Sequence, residues 1–165
     1  MSRLLDFYRG TATDDAGRTL SDVWGFSDDE MEEHHDFIQW LFPLCEPSRF
    51  NPHAPLLSEA DIAAFRAEAS LRDHVLRSFD RFLGFLGLEA KEGAVRPGPR
   101  FARKRDLWLY PNHNWLRITR VLHSLRLLGL EAECTAFFCG LNELRERGQA
   151  RISDDTWSYW QDAAS

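Results

Sequence analysis

The chain has 165 residues, 44% of them hydrophobic and 13% aromatic, which suits about one globular domain with a ring-rich core and excludes a disordered chain. Its net charge of −6 argues against a general nucleic-acid binder. No apolar run reaches the ~18 residues that a membrane helix needs, and Asp6 lies where a signal peptide would be apolar, so we expect a cytoplasmic protein. The three cysteines lack metal-ligand spacing, which predicts reduced thiols and no metal or cofactor.

The charge is distributed unevenly along the chain. From Lys91 to Arg126 there are nine basic residues against two acidic ones, a net charge of +7, so the remainder carries −13. Positive charge is therefore concentrated in residues 91–126, and the rest of the chain is negatively charged.

Short elements open the chain. Leu4–Tyr8 is an apolar cluster ended by Gly10, which indicates a brief helix or an extended anchor. Thr19 or Ser21 can cap a short helix that Gly25 ends.

A stronger helix is predicted from Ser27 to about Phe42. Ser27 to Glu30 form a capping box, and apolar residues then recur at helical spacing until Pro43. This period places His35 on the packed face and Asp36 on the wet face. The stretch His35–Leu44 is then the central core helix of the fold.

The proline-containing segment Cys45–Leu57 must be irregular, and we expect Phe50, Leu56 and Leu57 to hold it in place by being buried. Ser58 begins a further helix with another capping box. Helical period then continues to Gly87, which with Gly129 has the pattern of a glycine C-cap.

Glu89–Asn112 has no clear period and predicts one long loop, in which Asp106–Tyr110 is the only candidate strand. Three helices follow: one capped by Asn112 or Asn114, one from about Glu131 to Arg147, and a short one from Ser153. The predicted fold class is all-α, a single compact domain over residues 1–165. We expect an irregular orthogonal bundle of six to seven helices, with residues 152–165 as a docking C-terminal helix.

Two stretches together resemble the conserved region of the opioid growth factor receptor family. One is His35–Leu44 with Phe50–Pro52 and Ala54–Leu57, and the other runs from His113 to Leu122 and on to Leu130. The animal member of that family is described as a nuclear-envelope-associated receptor for an enkephalin peptide. Its long tail of acidic repeats has no counterpart here, so the chain resembles a stand-alone, bacterial version of the conserved region. The resemblance maps no binding residue onto this sequence.

The residues themselves offer two candidate ligand-binding positions. His35 can act as a base or ligand, although a core histidine is the more common outcome, and Glu32 with His35 makes one Glu-x-x-His pair without the second pair of a di-iron site. His113 and Asn114 stand at a helix start with Arg117 and Arg120 following, which could form an anion pocket or be a cap with acid-paired arginines.

The leading hypothesis from the sequence is a non-enzymatic domain that recognises a peptide or protein. The alternative is binding of a phosphate-containing ligand or nucleic acid by Lys91–Arg126, with Phe101, Trp108 and Tyr110 available for stacking. A third hypothesis is an enzyme that uses His35 or His113. No catalytic constellation is assigned.

Overall fold

The structure, a computed structural model, describes residues 2–165 and is mostly helical. Within that range ten α-helices form: α1 Arg3–Tyr8, α2 Leu20–Trp24, α3 Asp28–Glu33, α4 Ile38–Leu41, α5 Glu59–Ala67, α6 Ala69–Leu86, α7 Arg105–Leu109, α8 Asn114–Leu127, α9 Glu131–Glu146 and α10 Asp154–Ala164. Strands β1 (Leu88–Lys91) and β2 (Ala94–Pro97) precede a 3₁₀ helix over Phe101–Lys104. The helical class is confirmed, but six to seven helices was too low a number because the chain breaks its helices into short pieces.

Contacts group the residues into two compact units. The first comprises the chain up to Phe79 together with Leu127–Gly129, and the second comprises Asp80–Arg126 and Leu130–Ser165. The boundary falls within the sequence of α6. A single domain with orthogonal helices stays a prediction.

Aromatic rings fill the core of the first unit. The ring of Phe7 lies 5.2 Å from that of Trp40, and the ring of Tyr8 lies edge-on to Phe65 at 5.3 Å. All four side chains are almost fully buried. Aromatic pairs in these geometries add to the free energy of burial itself.

Three hydrogen bonds connect four residues in this core, and each residue donates to the next. The indole Nε1–H of Trp24 donates to Ser78 Oγ at 2.9 Å, and Ser78 Oγ lies 3.0 Å from Tyr8 Oη. Tyr8 donates its only proton to the carbonyl oxygen of Leu41, so Ser78 must donate to Tyr8. That carbonyl belongs to the last residue of α4 and has no partner within the helix. Tyr8 therefore completes the end of α4.

The predicted helix from Ser27 to Phe42 is wrong. Ser27 does begin α3 with a capping box, but His34 adopts extended backbone angles and α4 starts only at Ile38. The physical reason lies in the residues after the break, because Phe37, Ile38, Trp40, Leu41 and Phe42 are all buried. One continuous helix presents such a run around most of its circumference, and breaking it lets every member reach the core.

The second unit contains a β-hairpin where one long loop and no strand were predicted. β1 pairs antiparallel with β2, with Lys91 opposite Ala94, and Glu92 and Gly93 form the turn with φ of 55° and 78°. The hairpin packs on α9 at Gly140, where a Cβ would lie 2.4 Å from the carbonyl oxygen of Val95. The candidate strand Asp106–Tyr110 is also wrong, since α7 occupies that segment.

The C-terminal segment 152–165 of the second unit forms α10. Ser153 caps the helix by accepting from the N–H of Thr156. Trp160 is fully buried and its Nε1–H donates to the carbonyl oxygen of Trp115 at 3.1 Å. Trp157 stacks on Phe138 with ring centroids 5.0 Å apart. The two tryptophans thus fix the helix to the rest of this unit.

Candidate functional site

The connector between α3 and α4, residues 34–37, carries the first candidate residue, His35. Three side chains hydrogen-bond to the connector, at Asp36 and at the backbone of His35. Arg18 Nη2 donates to Asp36 Oδ1 at 2.9 Å, Asn51 Nδ2 donates to the carbonyl oxygen of Asp36 at 3.1 Å, and Gln39 Nε2 donates to that of His35 at 3.2 Å. The connector is therefore an ordered break in the helix.

Asp14 positions the arginine that reaches the connector. Its carboxylate is fully buried and accepts three hydrogen bonds, from the N–H groups of Ala16 and Arg18 and from Arg18 Nε at 2.7 Å. Burial opposes the charge of Arg18, but its bonds to Asp14 and Asp36 and their negative charges outweigh this effect and raise the pKa of Arg18. The guanidinium stays charged and links the first loop of the chain to Asp36.

The expectation that His35 lies on a packed helix face is wrong. The helix break leaves His34, His35 and Asp36 exposed on the surface of the first unit. The ring of His34 stacks on Phe26 with centroids 5.1 Å apart. Exposure removes the core-histidine interpretation of His35 and places its imidazole at a surface that a partner can reach.

The second candidate position lies at the start of α8. Asn112 fixes this turn because its Nδ2 donates to the carbonyl oxygens of Leu107 and Tyr110 while its Oδ1 accepts from the N–H of Asn114. Asn114 and Arg117 are buried, and Arg117 Nη1 donates to Asn114 Oδ1 at 3.3 Å. Such a pair stabilises the first turn of the helix from inside the unit.

His35 belongs to the first unit, whereas His113, Asn114, Arg117 and Arg120 belong to the second. His113 and Arg120 are half-buried. Ligand binding by these five residues stays a prediction, as does catalysis by either histidine. Across residues 2–165 no group of three or more His, Cys, Asp or Glu side chains is arranged to hold a metal ion.

The basic segment divides into residues that serve the fold and residues that face solvent. Arg100 Nη2 donates to the carbonyl oxygen of Gly84 at 2.9 Å, and Lys104 Nζ lies 5.0 Å from the ring of Phe85. Both cations therefore stand at the C-terminus of α6, which its dipole makes electronegative. Trp108 is fully buried and donates to the carbonyl oxygen of Leu86, so it is not available for base stacking.

Two residues that we expected to be buried lie on the surface. Phe50 is 65% exposed and Leu56 is 46% exposed, which makes their expected burial wrong, whereas Leu57 is buried as expected.

Fold and site together define a mostly helical protein with ordered surface segments that present apolar and charged side chains. In the part of the chain that the structure describes, no helix is long and apolar enough to cross a membrane. The chain belongs to the family described as the opioid growth factor receptor (OGFr) conserved region, which matches residues 5–164.

Curated relatives agree with this assignment. The opioid growth factor receptor of Mus musculus is 40% identical over 111 residues, which cover 66% of this chain and 17% of that protein. The receptor of Homo sapiens is 35% identical, with 66% and 16% covered. The opioid growth factor receptor-like protein 1 of Xenopus tropicalis is 34% identical over 110 residues, with 66% and 21% covered.

The matched segment thus spans about a fifth or less of the length of these relatives. All three are vertebrate proteins, so the expected bacterial origin stays a prediction. No solved structure matches the chain.

Proposed function

We propose that the chain is a non-enzymatic binding domain, acting in the cytoplasm, that recognises a peptide or a protein. Membership of a family whose relatives are named as receptors supports this class of function. The structural observation that carries the proposal is the exposure of two large apolar side chains, Phe50 and Leu56, on a segment whose backbone is hydrogen-bonded at Phe50. Aromatic residues in such positions are the anchors that dominate protein interfaces.

Selection from a displayed library of random peptides tests this proposal directly. Immobilised protein should enrich related sequences, and a synthetic copy of an enriched peptide should bind the protein in solution calorimetry with one site. An enkephalin peptide is a further defined probe, because the family resemblance suggests it. If neither the library nor the enkephalin peptide gives saturable binding, the proposed function is wrong.

A second candidate, binding of phosphate-containing ligands or nucleic acid, is favoured by the exposed basic residues Lys91, Arg103 and Arg105. Binding of a single-stranded oligonucleotide should then weaken steeply with salt, because phosphate contacts release counterions. Arg103→Ala with Arg105→Ala should lower the affinity and the salt slope, whereas Arg147→Ala, on another exposed arginine, should not. Affinity that is absent or independent of salt would exclude this candidate.

A further inference from the structure

Residues 45–56 of the first unit form a closed surface loop. The N–H of Leu57 donates to the carbonyl oxygen of Leu44 at 2.9 Å, so the two ends of a twelve-residue segment meet. A loop of this length with joined ends has the geometry of an Ω-loop, a class that is frequently functional. We call residues 45–56 the Ω-loop.

Hydrogen bonds inside the Ω-loop hold its backbone. Ser48 Oγ accepts from the N–H of Phe50 at 3.2 Å and lies 3.4 Å from Gln39 Nε2, which donates to it. The N–H of Ala54 donates to the carbonyl oxygen of Asn51, whose own side chain donates to the carbonyl oxygen of Asp36. The Asn51 bond fastens the Ω-loop to the connector 34–37 and the Ser48 bond fastens it to α4, so the Ω-loop and the connector belong to one ordered surface.

Order and exposure occur together at Phe50. Its backbone N–H is bonded, yet 65% of the residue is exposed, and Leu56 at the end of the same loop is 46% exposed. Because the backbone that carries Phe50 is already fixed, less conformational freedom is lost when a partner covers its side chain, which favours binding. The Ω-loop therefore presents an aromatic and an aliphatic side chain on a preorganised backbone.

The surroundings of the Ω-loop are strongly acidic. Residues 28–56 contain seven carboxylates against the single base Arg49, a net charge of −6 with neutral histidines, and the ion pair of Arg18 with Asp36 reduces it to −5. Glu33, Asp36 and Glu46 are exposed, on α3, the connector and the Ω-loop respectively. Partial burial and, to a smaller extent, the neighbouring Glu46 carboxylate raise the pKa of the Cys45 thiol.

These observations limit the chemistry of a partner. Nucleic acid and acidic peptides are repelled by a surface of this charge, and an uncharged apolar peptide leaves the carboxylates unused. A segment that carries Lys or Arg beside a large apolar side chain complements both features. The positive charge speeds encounter, and the apolar group packs against Phe50.

We propose that the Ω-loop and the connector 34–37 form the recognition surface, and that it takes a peptide segment with Lys or Arg next to a large apolar residue. The proposal rests on the proposed function, because it names the surface and partner chemistry for that same binding activity. Phe50 is the apolar contact, and Glu33 and Glu46 supply the negative field, because Asp36 is already paired with Arg18.

The test begins with the sequences that the random-peptide selection enriches. Enrichment of Lys or Arg adjacent to Phe, Leu, Met, Tyr or Trp is expected. A synthetic peptide from that set is then titrated into the wild-type protein, into Phe50→Ser and into the matched control Tyr159→Ser, whose residue is 59% exposed on α10 of the second unit. Phe50→Ser should lower the affinity at least tenfold, and Tyr159→Ser should change it less than twofold.

A second set of substitutions tests the acidic part of the surface. Glu33→Gln combined with Glu46→Gln should lower the affinity severalfold in low salt and by a smaller factor in high salt, because salt screens the exposed charges. Thermal unfolding of every variant, expected to match wild type because the altered side chains are exposed, separates loss of binding from loss of folding.

Each result bears on a different claim. Peptides that bind wild type and Phe50→Ser equally, or that are enriched in acidic residues, overturn the recognition surface while leaving peptide binding intact. A wild-type protein that binds no peptide overturns the proposed function and this inference with it.

Discussion

Ser78→Ala is expected to interrupt the hydrogen-bond chain that joins Trp24, Ser78, Tyr8 and Leu41. The substitution removes one oxygen from a fully buried site and leaves the indole N–H of Trp24, which lies 2.9 Å from that oxygen, without its acceptor. An unsatisfied buried donor costs about 1–3 kcal/mol. Because Trp24 is only half-buried, water can replace part of the bond, so we expect the lower half of that range, about 1–2 kcal/mol.

Tyr8→Phe acts on the same chain from the other side. It leaves the carbonyl oxygen of Leu41 at the end of α4 without its donor, in a fully buried position, and should cost about 2–3 kcal/mol. For a chain of this length each kcal/mol lowers the melting temperature by about 2–4 °C. The two substitutions should not be additive, since Ser78 also loses its acceptor in Tyr8→Phe.

Calorimetric unfolding of the wild type, the two single variants and the double variant measures these values. A double variant whose loss equals the sum of the single losses within about 0.3 kcal/mol would show that the residues act independently and would refute the chain. Ser21→Ala, at an exposed position of α2, is the control and should be close to neutral.

Three further predictions concern packing, charge and pH. Gly140→Ala should destabilise the protein by about 3 kcal/mol or more in a denaturant titration, because its Cβ would overlap the Val95 carbonyl. Gly84→Ala is the control and should be neutral or stabilising, since the nearest neighbour of its Cβ, Arg100 Nη2, lies at the ordinary contact distance of 3.4 Å. Asp14→Ala should cost about 1–3 kcal/mol, because the N–H groups of Ala16 and Arg18 lose their acceptor while Asp36 still pairs with Arg18, and urea midpoints measure the loss. Burial raises the pKa of Tyr8, so the folded state keeps this proton at a pH where the unfolded state loses it. Stability should therefore fall above pH ~10, and less steeply in Tyr8→Phe. Melting scans at pH 8–11 measure this difference.

Local signals in the sequence indicated the starts of α2, α3 and α5. Ser27 and Ser58 each accept from the N–H of the third helical residue, and Thr19 does the same for α2. Gly87 and Gly129 have φ of 80° and 88°, as a glycine C-cap requires. These features need only a few neighbouring residues, so the sequence contains the information.

The helix break before α4 depended on residues far along the chain. Periodicity from Met31 to Phe42 is compatible with one helix. The broken form buries Phe37 to Phe42, and bonds from Arg18 and Asn51 to Asp36 stabilise it. The hairpin was missed for a related reason. Its strands bury only Leu88 and Val95, too few for an alternating pattern, and its packing partner on α9 lies more than 40 residues on.

The candidate surface was not predicted from the sequence, because a general rule about apolar residues pointed the other way. Large apolar residues are usually buried, and Phe50 was assigned to the interior on that basis. Exposure on an ordered loop is the informative exception, and it emerges only when the bonds of Ser48 and Asn51 are known. Composition and charge indicated that the chain outside Lys91–Arg126 is acidic, but they could not associate that charge with the Ω-loop.

The most direct test of the recognition surface is a backbone-amide NMR titration of the 19.1 kDa protein with a library-selected peptide. The largest chemical-shift changes should fall on residues 45–56 and 34–36 and saturate with the calorimetric affinity. Changes concentrated in α8 or α10, with the Ω-loop unaffected, would contradict the account.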